Sequence, residues 1–194
     1  SVLTSVANLL AAGPTPHLPA TPPKLEAAYW RDPIFLIPYR FAPNQPLADQ
    51  VDKIRLLVAE ETSGPWTFLE EGEPHLQGFK YHAPRDGEYW FAVQLVDRRG
   101  QAWPSGVVAP QLRVVVDTQP PVLKIMGLGD ARGKATLRYD VSDANLDPDS
   151  LTIEVNAGDR WMAVPATEPD VRRSDRLVGR VAWTPPAGVR QVRW

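Results

Sequence analysis

Along this chain apolar and polar residues alternate in short runs, and no segment keeps helical spacing beyond one turn. Alternation with a period of two predicts half-buried strands. In VDKIRLLVAE, Ile54, Leu56 and Val58 form one face and Lys53, Arg55 and Leu57 the other. GEYWFAVQLVD carries the strongest signal, with Tyr89, Phe91 and Val93 on one side and Trp90 and Gln94 on the other. LRVVV places Leu112, Val114 and Val116 on one face, and Pro38 demotes IFLIPYRF to an edge or bulged strand. The second half repeats the same grammar in PVLKIMGL, KATLRYDVSD, SLTIEVN, RWMAVPA, LVGRVAWTP and VRQVRW, separated by the turns GDARG, ANLDPD and AGD. Many short strands with turn chemistry between them predict an all-β protein of Greek-key β-sandwich type. Residues 1–26 break the pattern: after a short apolar start, GPTPHLPATPPK reads as a Pro-rich, semi-rigid linker.

The chain is written nearly twice. Gly78, Pro84 and Gly87 recur as Gly179, Pro185 and Gly188, and Trp66 leads to Glu73-Pro74 as Trp161 leads to Glu168-Pro169. A repeat of about 100 residues fits tandem small domains, because solenoid units run to roughly 20 to 50 residues. The expected units are residues 27–117 and 118–194, joined at DTQPPV, where two prolines fix φ and remove two donors. Recurrence also assigns Trp66 and Trp161 to packing in the two cores. On this alignment Trp194 corresponds to Val93, so the second unit is expected to lack its closing strand. The gap is read as the mark of a longer native protein, as a place filled by a donated strand, or as a smaller sandwich.

Composition narrows the function classes. A net charge of -2 offers no broad field for nucleic acid or an anionic membrane, and no apolar run is long and uninterrupted enough to insert in one. Without cysteine the chain has neither disulfides nor thiolate metal sites. Twenty-one prolines suit a protein of strands, edges and turns.

The sandwich grammar, the GEYWFAVQLVD strand and the DTQPP seam resemble the immunoglobulin-like and fibronectin type III-like repeats of large bacterial surface and envelope proteins, planctomycete ones among them. The resemblance covers residues 30–194 and rests on turn and core positions. It implies two tandem immunoglobulin-like sandwiches, an extracytoplasmic setting (periplasm, cell surface or secreted) and no catalytic residue. It also implies a tyrosine-corner hydrogen bond from Tyr89 in the first unit, for which the second unit has Arg190 at the matching place.

Two groups of residues are candidate sites. Asp143, Asn145, Asp147 and Asp149 alternate as oxygen donors to a hard cation would, with Glu154 at the twelfth position of a calcium loop. Pro148 stands where such a loop needs glycine, so the plainer reading is Asx-turn and hairpin chemistry, and no cofactor is required. Trp90, Trp103, Tyr29 and Trp30 would form a glycan or peptide platform if they shared one exposed sheet face. The plainer reading covers Trp90 with the N-terminal segment or a neighbouring domain. Catalysis finds no support: His17, His75 and His82 are scattered, and Asp86 and Glu88 fall beside a turn in strand spacing that suits no acid/base couple.

The resulting expectation is a non-enzymatic structural or adhesion module of a larger bacterial protein, whose partners are neighbouring immunoglobulin-like domains or other proteins. A carbohydrate-binding accessory module and a strand-exchange assembly subunit are the alternatives.

Overall fold

The computed structural model describes residues 25–39, 50–76, 78–129, 133–156, 160–165, 168–184 and 191–193. Of the linker expected over residues 1–26, residues 1–24 (His17 among them) lie outside these, as do Pro185, Gly188 and Trp194. Among the described residues there is no helix. The strands are β1 (Ala27–Trp30), β2 (Ile34–Pro38), β3 (Val51–Ala59), β4 (Thr67–Gly72), β5 (Gly78–His82), β6 (Gly87–Asp97), β7 (Ala102–Trp103), β8 (Leu112–Val116), β9 (Val122–Gly129), β10 (Ala135–Ser142), β11 (Glu154–Asn156), β12 (Trp161–Ala163), β13 (Val171–Arg172), β14 (Arg176–Trp183) and β15 (Gln191–Arg193). The chain divides into two compact units, Ser1–Thr118 and Gln119–Trp194.

In the first unit one sheet runs β1-β8-β6-β3-β4 with β7 on β6, and β2 pairs with β5 in another. Only β1 with β8 is parallel among these pairings. Both sheets feed one core: Phe35 and Ile37 from β2 and Phe79 from β5 meet Ile54 and Leu56 from β3, Tyr89, Phe91 and Leu95 from β6, and Val114 and Val116 from β8. Side chains of two sheets closing on one apolar layer make an arrangement of β-sandwich type. Rings fill much of that layer, with Phe35 edge-on to Phe91 at 6.0 Å and Tyr81 edge-on to Phe91 at 5.0 Å between centroids. The hydroxyl of buried Tyr89 donates to the Arg85 carbonyl oxygen at 2.7 Å, tying the start of β6 to the turn before it.

Two expectations for this unit need correction. Alternation puts Gln94 on the face opposite the core and so toward solvent, yet it is buried and its Nε2 donates to the Pro104 carbonyl at 2.9 Å. Its face of β6 is covered by the segment after β7, which is clamped by Val93 N–H donating to Gln111 Oε1 and Gln111 N–H donating to the Phe91 carbonyl. Val108 from that segment joins Leu57 and Ala92 in a small second cluster, and Trp66 packs against this cluster rather than in the main core. Leu57 and Ala92 therefore escape the solvent that strict alternation assigns to them.

In the second unit the sheets run β13-β14-β10-β9 and β12-β11-β15. Leu137, Tyr139 and Val141 of β10 and Leu177 and Val181 of β14 pack with Ile153, Val155 and Val164 from the side of the other sheet. Trp161 is only half-buried at the start of β12 and is not among these core residues. Gly179 lies directly opposite Tyr139. A Cβ there would collide with the Tyr139 hydroxyl and stand 2.6 Å from Cζ, so the ring lies over a site that only glycine leaves open.

Candidate functional site

Strand register decides which of the four aromatic candidates meet. Trp90 and Ala27 both pair with Arg113, while Glu88 and Tyr29 both pair with Val115. Tyr29, Glu88, Trp90 and Arg113 therefore share the outer face of the large sheet, opposite the face of Tyr89 and Phe91. Tyr29 is 63 % exposed there. Trp90 is half-buried, because the Arg113 guanidinium carbon stands 5.3 Å from its ring centroid. Arg113 Nη2 also bonds Glu88 Oε2 at 2.8 Å, and that hydrogen bond raises the guanidinium pKa further.

Trp30 and Trp103 go the other way. Trp30 pairs with the fully buried Val116 and packs on Phe35, with ring centroids 6.1 Å apart. Trp103 pairs with Leu95, and both indoles border the main core. The platform thus has two of its four expected aromatics, plus the cation Arg113, which the sequence reading did not single out, and the carboxylate of Glu88, which it weighed only as half of an acid/base pair. The signal for Arg113 was present in the alternation of LRVVV, where it opposes the core-facing Leu112 and Val114.

The acidic loop is organised by its own backbone. Asp143 Oδ1 accepts from the Asn145 N–H at 2.7 Å, and Asp147 Oδ1 accepts from the Asp149 N–H at 3.0 Å. Ser150 donates both its N–H and its hydroxyl to the Asp147 carbonyl. Asp149 pairs with Arg172 at 2.6 Å. These are successive Asx turns that each employ a carboxylate oxygen. Among the described residues no group of three or more His, Cys, Asp or Glu side chains is placed to hold a metal ion.

The remaining titratable candidates stand apart. His75 Nδ1 lies 3.1 Å from the Glu73 carboxylate in an exposed turn, and His82 is exposed on β5. Asp86 accepts from the N–H and hydroxyl of Thr118, whereas Glu88 belongs to Arg113. Arg172 ends β13 and Arg176 begins β14, with Arg173 and Asp175 in the connection between them. Comparison with known proteins finds neither a protein-family model nor a curated protein that matches this chain.

Proposed function

We propose that this chain is a non-catalytic structural or adhesion module of a larger extracytoplasmic bacterial protein, built from two tandem immunoglobulin-like sandwiches. The observation that carries this reading is the Tyr89 hydroxyl bonded to the Arg85 carbonyl, the corner expected at the start of the sixth strand of such a domain. Equivalent strand pairing in the two units supports it. In the first, β2 pairs with β5 while β3 pairs with β4 and β6. In the second, β10 pairs with β14 while β11 pairs with β12 and β15. Gly78 of β5 lies opposite Pro38 and Gly179 of β14 opposite Tyr139, a pairing of the two repeated glycines that supports matching β2 and β5 with β10 and β14.

A module that transmits load or holds partners apart must resist extension one domain at a time. Stretching single molecules tethered at the two chain ends is expected to give two discrete unfolding events, one per unit. Featureless extension without force peaks would remove the reading. Glycan binding is the second reading, favoured by exposed Tyr29 and half-buried Trp90 sharing one sheet face on either side of β8. Its mark is a change in tryptophan emission on titration with a glycan panel that disappears in Tyr29→Ala.

A further inference from the structure

The near-neutral total hides a local separation of charge on the second unit. Because Leu137, Tyr139, Val141, Leu177 and Val181 face the core, the alternate residues of β10 and β14 face outward. Register then aligns Lys124 with Asp140 and Val178, Met126 with Arg138 and Arg180, and Val122 with Ser142 and Arg176. Four cations from three neighbouring strands meet one carboxylate at these positions. That carboxylate is engaged: Arg176 Nε and Nη2 take the two Asp140 oxygens at 3.0 and 2.8 Å. Arg138 and Lys124 are exposed and make no ion pair among the described residues. Arg138 also stands directly opposite Arg180, which adds to the cationic character of this face. Beside them Val122, Lys124, Asp140, Ser142 and Arg176 line a hollow of about 220 Å³.

This face adjoins an open edge. β9 is the last strand of its sheet, pairing with β10 alone among the described residues. It is eight residues long, with Val122 56 %, Ile125 38 % and Met126 60 % exposed. Ile125 pairs with buried Tyr139, so it belongs to the core face and yet stays partly wet. Edge strands of this length and composition are usually covered or blunted.

We propose that the outer edge of β9 and the cationic face beside it dock an extended acidic segment of a partner protein, which adds to the sheet as a further strand. The segment alternates apolar and acidic residues. Its apolar side chains cover Ile125 and Leu123 at the core margin, and its carboxylates, recurring every ~7 Å on the outer side, face Lys124 and reach toward Arg138 across Met126. Backbone pairing gives affinity and alternate side chains give selection. An acidic polysaccharide matches the charges but neither pairs with the β9 backbone nor covers Ile125, so the observations favour the peptide. The inference rests on the protein-interaction reading above.

The test uses the whole chain and a fluorescent, end-blocked ten-residue peptide alternating Glu and Val, followed by anisotropy at low salt. The peptide is expected to bind, at least tenfold more weakly to the double variant Lys124→Glu, Arg138→Glu. Arg99→Glu, in a turn of the other unit, is expected to leave binding unchanged. N-methylation of alternate peptide nitrogens is expected to weaken binding by a similar factor. Binding that survives N-methylation, oligogalacturonate that binds where the peptide does not, or no peptide binding up to millimolar concentration each overturns the proposal. The stretching experiment does not depend on this surface, so two unfolding events there with no peptide binding here would remove the docking site alone.

Discussion

The two units close the same kind of core with different materials. In the first, Phe35, Tyr39, Phe79, Tyr89 and Phe91 are buried together, with Trp30, Tyr81 and Trp103 packed around them. In the second, Tyr139 is the one buried aromatic among the described residues, the others being Leu, Ile and Val. Rings bring much apolar area per residue and prefer edge-on contacts, whereas aliphatic layers depend on close fit between small side chains. The comparison teaches that two sheets closing on one apolar layer, not a particular core composition, is what the units share. It also locates their different weak points: removal of a ring in one, overpacking in the other.

The sharpest way to exploit that difference is Phe91→Ala. Phe91 is 1 % exposed and meets the rings of Phe35 and Tyr81 on the facing sheet, so its truncation is expected to cost the first unit about 3–5 kcal/mol. Chemical denaturation followed by tryptophan emission reads the loss. Next comes Gly179→Ala, which drives a methyl group into the Tyr139 ring and is expected to cost the second unit about 1–3 kcal/mol. The same denaturation curve, read on the second unit, checks it. Tyr89→Phe keeps the ring and deletes only the bond to Arg85, so a loss of about 1 kcal/mol confined to the first unit is expected. A Tyr89→Phe melt indistinguishable from wild type would leave the corner without a stabilising part.

Alkaline pH separates the units more gently. Burial, helped by Tyr89 and Glu60, pushes Tyr81 from 10.0 up to about 12, and burial also raises Tyr39 and Tyr89. In the second unit burial raises Tyr139. An unfolded tyrosine releases its proton near 10 while the folded one holds it, so stability is full below pH 10 and falls as pH rises toward about 12. The first unit is expected to lose melting temperature faster across that window. At acid pH no such contrast is expected. Arg55 and Lys53 hold the Glu71 carboxyl down, and Arg176 does so for Asp140, one exposed carboxylate in each unit. Both contributions are lost as pH falls through the folded pKa.

Period-two patterning made the interior strands legible: β8 and β10 follow it closely, whereas β3 and β6 are buried on both faces where Leu57, Ala92 and Gln94 are covered. It failed where pairing is distant or strands are very short. β1 pairs with residues more than 80 positions away, and AAYW shows no alternation to announce it. β7 and β13 have two residues each, below any periodic signal. The second cluster of the first unit was illegible because Val108 comes from an irregular segment that folds over Leu57 and Ala92.

The candidate sites divide along the same line. Asx turns at Asp143 and Asp147 are local and were readable from Asp, Asn and Ser at short spacing. The aromatic strip required knowing what lies beside each ring on the next strand, which a single strand's period does not tell. Hence Trp30 and Trp103 were grouped with Tyr29 although they face the core. The cationic face was hidden for the same reason, its members being spread from Lys124 to Arg180 in a chain whose charges nearly cancel.

Scanning calorimetry of the intact chain beside Phe91→Ala and Gly179→Ala probes the two-unit account most directly. Each core draws its buried residues from one unit alone. Two transitions are therefore predicted, with Phe91→Ala lowering one and Gly179→Ala lowering the other. A single cooperative transition that both substitutions shift together would contradict it.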